Sequence, residues 1–246
     1  MKAATTTRMV LFDAFDTILR PRQPIPNQYA HVFHKHGINI NPDVIKSSFK
    51  VAFVQLNEKA SNYGKSIAWT PNQWWSTLIR MVIEDNVSVA DINNKNSLQV
   101  IQNELLTRFA SSEGYEPFEG SYETLSSIKK SGLKCGLVSN SDERIVSVLE
   151  SLHLRHFFDK ISLSYNVGCE KPDINIFKHA LHSNIRPEEV LFVGDEYKAD
   201  YLGAMHAGMH PLLFYRAEYH KPLQQDVLSN INYVQNIPDV LSYIKT

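Results

Sequence analysis

Asp13 closes a short apolar run, Met9-Val10-Leu11-Phe12, and opens the segment Asp13-Ala14-Phe15-Asp16-Thr17. An acid at the end of an apolar strand lies at the carboxyl edge of a sheet, where open α/β folds build their sites. Further polar groups end strands or open loops: Ser139-Asn140, Lys171-Pro172, and Gly194-Asp195 with Asp200. Together they supply a carboxylate nucleophile, a hydroxyl, an ammonium and an acidic pair. Such a set suits phosphoryl transfer through an aspartyl intermediate. Asp195 and Asp200 are hard oxygen donors at a loop-to-helix junction, which suits magnesium. Each group also has a plainer reading: an acid or serine capping a turn or helix, a lysine on the surface.

Regular elements must hold these groups. Residues 9–13 read as a buried strand. Residues 20–27 cannot continue it, because Pro21, Pro24 and Pro26 punctuate the stretch. A helical region follows to about residue 110. Asn41-Pro42-Asp43 starts one helix, with Ile45, Phe49, Ala52, Phe53 and Leu56 at helical spacing. Thr70-Pro71-Asn72-Gln73 starts another with capping-box spacing, and Trp74, Leu78, Met81 and Val82 form its stripe. A third helix is expected over 97–110, capped by Ser97. From residue 117 strands and helices alternate. Strands are expected near 135–138, 160–164, 190–193, 211–215 and 232–234, and helices near 142–151, 173–183, 200–207 and 238–244. That alternation argues a parallel sheet covered on both faces.

Bulk properties narrow the function. The chain has 246 residues, 43% of them hydrophobic, enough for a large core with a smaller unit. A formal net charge of -1 gives no basic field to recruit nucleic acid or an anionic membrane. No apolar run approaches the roughly 18 residues of a membrane span. Met1 to Arg8 carries no apolar signal core. Cys135 and Cys169 are too few for a disulfide framework. An intracellular protein, cytoplasmic or nuclear, is the expectation. There is neither a Walker lysine motif nor a dinucleotide fingerprint. His31, His34 and His36 lack the partners of a metal cluster. Oligomeric state is not set by these features.

In order and context, the four motifs at Asp13, Ser139, Lys171 and Asp195/Asp200 resemble those of the haloacid dehalogenase (HAD) superfamily, which consists mostly of phosphatases. The resemblance covers the whole chain. It implies a Rossmannoid three-layer α/β core with a parallel sheet, residues 1–20 and 111–246, and an inserted C1-type helical cap, residues 21–110. Asp13 matches the nucleophile, Ser139 the phosphate-binding hydroxyl and Lys171 the charge-neutralising lysine; Asn140 would help shape that phosphate loop. A Mg2+ ion is implied on Asp13, Asp195, Asp200 and the Phe15 backbone carbonyl. The implied partner is a small phosphorylated molecule. Asn62-Tyr63-Gly64, with Thr70 and Trp74-Trp75, is similar to the subgroup named for haloacid dehalogenase-like hydrolase domain-containing protein 3. Asn62 and Tyr63 are candidate substrate contacts, whereas the two tryptophans read more simply as helix packing.

One position departs from the family pattern. Family phosphatases carry a second aspartate two residues after the nucleophile, which protonates the leaving group and then activates water. Phe15 stands there, and Asp16 follows where glycine is usual. Loss of that acid predicts a phosphatase restricted to good leaving groups such as acyl phosphates, with Asp16 as a repositioned acid-base group or merely a turn cap. The alternative is a catalytically weak or inactive phosphate-binding or protein-interaction module on the same fold. True haloacid dehalogenases have tyrosine at this position and lack the magnesium acids, which this chain keeps.

Overall fold

A computed structural model describes residues 6–87, 95–220 and 222–245. The chain begins with β1 (Met9–Phe12) and a short β2 (Leu19–Pro21). Four helices follow: α1 (Ile25–Lys35), α2 (Pro42–Lys59), α3 (Pro71–Glu84) and α4 (Lys95–Arg108). Next come β3 (Tyr115–Pro117), α5 (Ser121–Lys130), β4 (Lys134–Ser139), α6 (Arg144–Ser151) and β5 (Lys160–Leu163). The remainder holds α7 (Ser164–Val167), α8 (Ile174–Ala180), β6 (Val190–Gly194), α9 (Gly203–His206), β7 (His210–Phe214), α10 (Gln225–Ser229) and β8 (Tyr233–Val234). A 3₁₀ segment, Ile237–Tyr243, comes last.

Contacts divide the chain into two units. The first comprises the chain up to Arg20, Pro117–Ser141 and everything from Leu152 on. Its six-stranded sheet has the order β5-β4-β1-β6-β7-β8, and every pairing is parallel. This is a Rossmannoid α/β core. All residues of β1 and β6 are buried, as a sheet covered on both faces requires. On one face, Met9, Leu11, Val138 and Phe192 pack with Ile176 and Phe177 of α8 and Ala204 of α9. Chain order runs outward from β1 to β4 and β5, then crosses back to β6, β7 and β8 on the other side. Such a reversal opens a crevice at the carboxyl ends of the central strands.

The second unit comprises Pro21–Glu116 and Asp142–Ser151, so α6 groups with α1–α4. Its core gathers Tyr29, Phe33, Ile45, Trp74, Leu78, Val82, Ile101 and Leu105. Both expected helix starts have their caps. Asn41 Oδ1 accepts from the Asp43 N–H at 2.8 Å, and Thr70 and Gln73 form a reciprocal capping box. Trp74 is fully buried and donates its indole N–H to the Ala60 carbonyl at 2.8 Å. Trp75 donates to Asp142 Oδ2 at 2.8 Å, and Arg144 lies 4.3 Å above its ring while also binding Asp142. Both tryptophans are packing residues.

Some elements differ from expectation. Residues 20–27 are not simply a turn: α1 begins at Ile25 with proline in its first turn, where a missing N–H costs nothing. The paired short strands β2 and β3 carry too few residues to show a period. The expected helix over 200–207 opens as a π-helical turn, Tyr197–Leu202, before α9. The expected Ser97 cap lies outside the described side chains, as does most of the Met1–Arg8 tail.

Replacing Thr70 by alanine removes the α3 cap. We expect a stability loss of about 1 kcal/mol by chemical denaturation; an unchanged midpoint would show that Gln73 alone satisfies the helix end.

Candidate active site

β1 is the central strand, and its register sets the site. Phe12 lies against Leu137 of β4 and Val193 of β6. The Asp13 N–H extends the ladder by one bond, to the Val193 carbonyl at 2.8 Å. Asp13 therefore emerges between the ends of two strands, one finishing at Ser139 and the other at Gly194, with Asp195 next.

Lys171 joins these parts. Its Nζ donates to Asp13 Oδ1 at 2.5 Å and to Asp200 Oδ1 at 2.6 Å. All three residues are buried. The Lys171 backbone is gripped from both sides by one side chain. Asn140 Oδ1 accepts the Lys171 N–H at 2.7 Å, and Asn140 Nδ2 donates to the Lys171 carbonyl at 3.0 Å. Asp200 accepts a further bond from the Glu196 N–H at 3.0 Å. A side chain at position 194 would fall on the Asp200 carboxyl, so glycine is what lets that acid approach the strand end. Thr17, fully buried, donates its hydroxyl to Asp195 Oδ1 at 3.2 Å.

The structure brings Asp13, Asp16, Ser139, Asn140, Lys171, Asp195 and Asp200 to one pocket of about 190 Å³. Phe15, Glu196 and Ala199 complete its lining. Asn62 and Tyr63 are not among these residues. They lie in the second unit with left-handed backbones, φ 50° and 55°, and Tyr63 stacks on Trp75 with ring centres 5.8 Å apart. Sequence reading missed the Asn140 clamp, the Thr17 bond and the Glu196 N–H. Each depends on contacts made only after folding, and a buried threonine beside an acidic motif was the sole signal.

Electrostatics show what the pocket needs. Burial pushes the Asp13 carboxyl up to about 7; Lys171 opposes the shift and Asp200 adds to it. Burial, then Asp13, Asp200 and Asp16, push Asp195 up to about 9, against the pull of Lys171. Burial works against the Lys171 ammonium, but the two carboxylates outweigh it and hold its pKa above the ordinary value. One ammonium thus faces more carboxylate than it can balance. Oxygens of Asp13, Asp195 and Asp200 lie within 4.8 Å of one another, the one such grouping among the described residues. Hard oxygen donors at this spacing, with unbalanced negative charge, fit a small divalent cation.

The role given to Phe15 needs correction. The sequence reading made position 15 the missing piece of the acid-base chemistry, and inferred either a leaving-group-limited phosphatase or a weak binding module. The intact cluster of Asp13, Asp195 and Asp200 overturns that inference. Phe15 lines a pocket that Asp13, Asp16, Glu196, Asp195 and Asp200 still furnish with carboxyl groups. Impairment does not follow from it. The glycine usual at position 16 is also explained. Asp16 has φ 55°, a left-handed backbone that aspartate tolerates better than most residues.

A family profile described as haloacid dehalogenase-like hydrolase matches residues 7–208. The chain belongs to the haloacid dehalogenase-like hydrolase family. Haloacid dehalogenase-like hydrolase domain-containing protein 3 of Bos taurus is 31% identical over 235 residues, 95% of this chain and 92% of the relative. Among solved structures, the HAD-hydrolase YfnB of Bacillus subtilis, bound to magnesium, aligns with TM-score 0.67 at 17% identity, covering 98% of this chain and 99% of that one. A 2-haloacid dehalogenase of Pseudomonas syringae pv. Tomato DC3000 aligns with TM-score 0.65 at 17% identity, covering 96% and 97%. At such identity the likeness speaks to fold alone, and it does not choose between chemistries.

The Asp195 shift has a measurable sign. Its pKa is about 9 in the metal-free fold against 3.8 for a free side chain. The unfolded chain ionises freely between those values, so this carboxyl costs stability as pH rises through that window. Asp195→Asn is expected to raise the melting temperature of metal-free protein at pH 7 by roughly 2–4 °C, the shift that ~1 kcal/mol produces in a chain this size. The gain should shrink towards pH 4, and magnesium should stabilise wild type but not the variant. A variant less stable than wild type at pH 7 without metal would contradict this electrostatic picture.

Proposed function

We propose that this chain is a magnesium-dependent phosphatase of small phosphorylated molecules, with Asp13 as nucleophile. The observation that carries the reading is the Lys171 ammonium, bonded at once to Asp13 and Asp200 beside a metal-capable carboxylate cluster. A phosphate dianion brings negative charge to the nucleophile, so a phosphatase pocket must supply compensating cations. A buried lysine touching the nucleophile meets that demand. A pocket for a neutral or monoanionic substrate would have less use for it.

In this mechanism an Asp13 carboxylate oxygen attacks phosphorus, forming an acyl phosphate as the bond to the leaving oxygen breaks. The Ser139 hydroxyl donates to a nonbridging phosphoryl oxygen, and Lys171 neutralises charge on the same group. Asp16, which lines the pocket three residues after the nucleophile, gives a proton to the leaving oxygen. It then takes one from the water that attacks phosphorus, releasing phosphate and restoring Asp13. Asn140 acts through Lys171 by fixing its backbone. Asp13, Asp195, Asp200 and the Phe15 carbonyl would hold magnesium, which when bound would supply positive charge between an anionic nucleophile and an anionic substrate.

Phosphate release from acetyl phosphate and glycerol phosphate, with magnesium or EDTA, tests the proposal. Turnover should require magnesium and vanish in Asp13→Asn and Lys171→Met. Asp16→Asn should lower kcat on glycerol phosphate by roughly 10²–10⁴-fold, and less on acetyl phosphate, whose leaving group needs little proton assistance. Folded wild-type protein that releases phosphate from neither compound would sink the reading.

A further inference from the structure

A second cavity, of about 570 Å³, adjoins the carboxylate pocket and shares Asp16, Asp195 and Glu196 with it. Its volume falls within the roughly 300–1,000 Å³ of small-molecule sites, whereas the carboxylate pocket is only about 190 Å³. We infer that this cavity receives the leaving group, and that it favours phosphate esters whose leaving group carries a flat aromatic ring. The inference rests on the phosphatase reading above and names its substrate class.

The walls carry the argument. Three tyrosines line the cavity, Tyr197, Tyr215 and Tyr219, together with the apolar Pro222 and Leu223. Flat, weakly polar faces select flat partners, because offset and edge contacts between rings add about 0.5–1.5 kcal/mol beyond the area they bury. Asp16 and Asp195 belong to the end shared with the carboxylate pocket; the other charged groups of the lining, Glu196 and Lys198, are opposite in sign and solvent-exposed, so they contribute little selectivity.

These walls are held in place. Tyr215 is 6% exposed, and its hydroxyl accepts the Leu223 N–H at 3.3 Å. Tyr197 stacks on Tyr201 with ring centres 5.8 Å apart. The Tyr219 hydroxyl accepts from Arg20 Nη1 at 3.1 Å. His220 then ties the aromatic segment to the catalytic turn. Its Nδ1 accepts the Arg216 N–H at 2.8 Å, which leaves the proton on Nε2, and Nε2 donates to the Asp16 carbonyl at 3.0 Å. A ring bound against the tyrosines would therefore lie in a cavity whose wall is bonded to the turn that follows the nucleophile. This latch is what distinguishes the cavity from a passive surface hollow.

The test is a binding titration of the full chain, with magnesium, using benzylphosphonate and cyclohexylmethylphosphonate. Neither can be hydrolysed, and they differ chiefly in ring flatness. Wild type should bind the benzyl compound about tenfold more tightly, equivalent to ~1.4 kcal/mol. Tyr197→Leu with Tyr219→Leu keeps apolar bulk and loses two flat rings. Because Tyr219 is 54% exposed, its loss should leave the fold intact. In that variant the preference should fall to within about twofold. Equal affinities in wild type, no binding of either compound, or a preference that survives the double substitution would overturn the subsite. Acetyl phosphate turnover, which involves no ring, separates the two claims. Ring preference without any turnover sinks the phosphatase reading and leaves the subsite; turnover without ring preference does the reverse.

Discussion

A single buried ammonium holds this site together. Lys171 lies between Asp13, from the end of the central strand, and Asp200, from the π-helical turn after β6. Two carboxylates in a poorly solvated pocket repel each other and lose hydration, and a cation between them offsets both costs. Much of the local construction serves that contact. Asn140 closes a pair of hydrogen bonds on the lysine backbone, and Gly194 leaves the space into which the Asp200 carboxyl leans. Lysine suits the position because a compact ammonium on a long stem reaches several oxygens from one buried backbone point. The compensation is incomplete, since Asp195 adds a third carboxyl to the cluster. That shortfall gives the site its appetite for more positive charge.

The sheet converts sequence separation into ångströms. Asp13 and Lys171 are 158 residues apart in sequence yet directly bonded. The parallel register of β1, β4 and β6 brings Asp13, Ser139 and Asp195 to the same edge, and Asn140, next after β4, holds the Lys171 backbone there. Strand interiors need only be apolar and correctly paired, which explains why β1 and β6 carry no polar side chain before their ends. A slip of one residue in β1 would turn its side chains to the opposite face and move Asp13 off the edge. Register at β1 therefore places the carboxylate pocket as well as the core.

Much of this was legible in the sequence, for identifiable reasons. Asp13, Ser139, Lys171, Asp195 and Asp200 could be found because each polar residue follows a strand or opens a loop, and that pattern is local. The α2 and α3 starts were legible for the same reason: Asn41 and Thr70 cap the helices immediately after them. What stayed hidden depends on partners far along the chain. Nothing near Asn140 announces that its amide closes on residue 171, and nothing near Thr17 points to Asp195. Prolines at 24 and 26 read as breakers, although in the first turn of α1 they are compatible with a helix. Phe15 was over-read because a one-dimensional motif assigns a role to a position, whereas a pocket assigns it to whichever acids the fold gathers there.

The carboxylate cluster also ties stability to function. Holding Asp13 and Asp195 near each other, desolvated and with raised pKa values, works against the fold at neutral pH. The same strain favours any cation that enters, because binding returns the electrostatic free energy that folding expended. Replacing these acids with neutral residues would relieve the fold while removing its purpose. Apolar packing has to cover the deficit, and the fully buried strands beneath the site are placed to do so. Met9 and Leu11 precede Asp13 in β1, and Phe192 lies one strand over in β6, all of them shielded from solvent. A wholly apolar platform beneath a repelling acidic edge is the physical bargain on which this fold rests, and it places the strain where a charged ligand can use it.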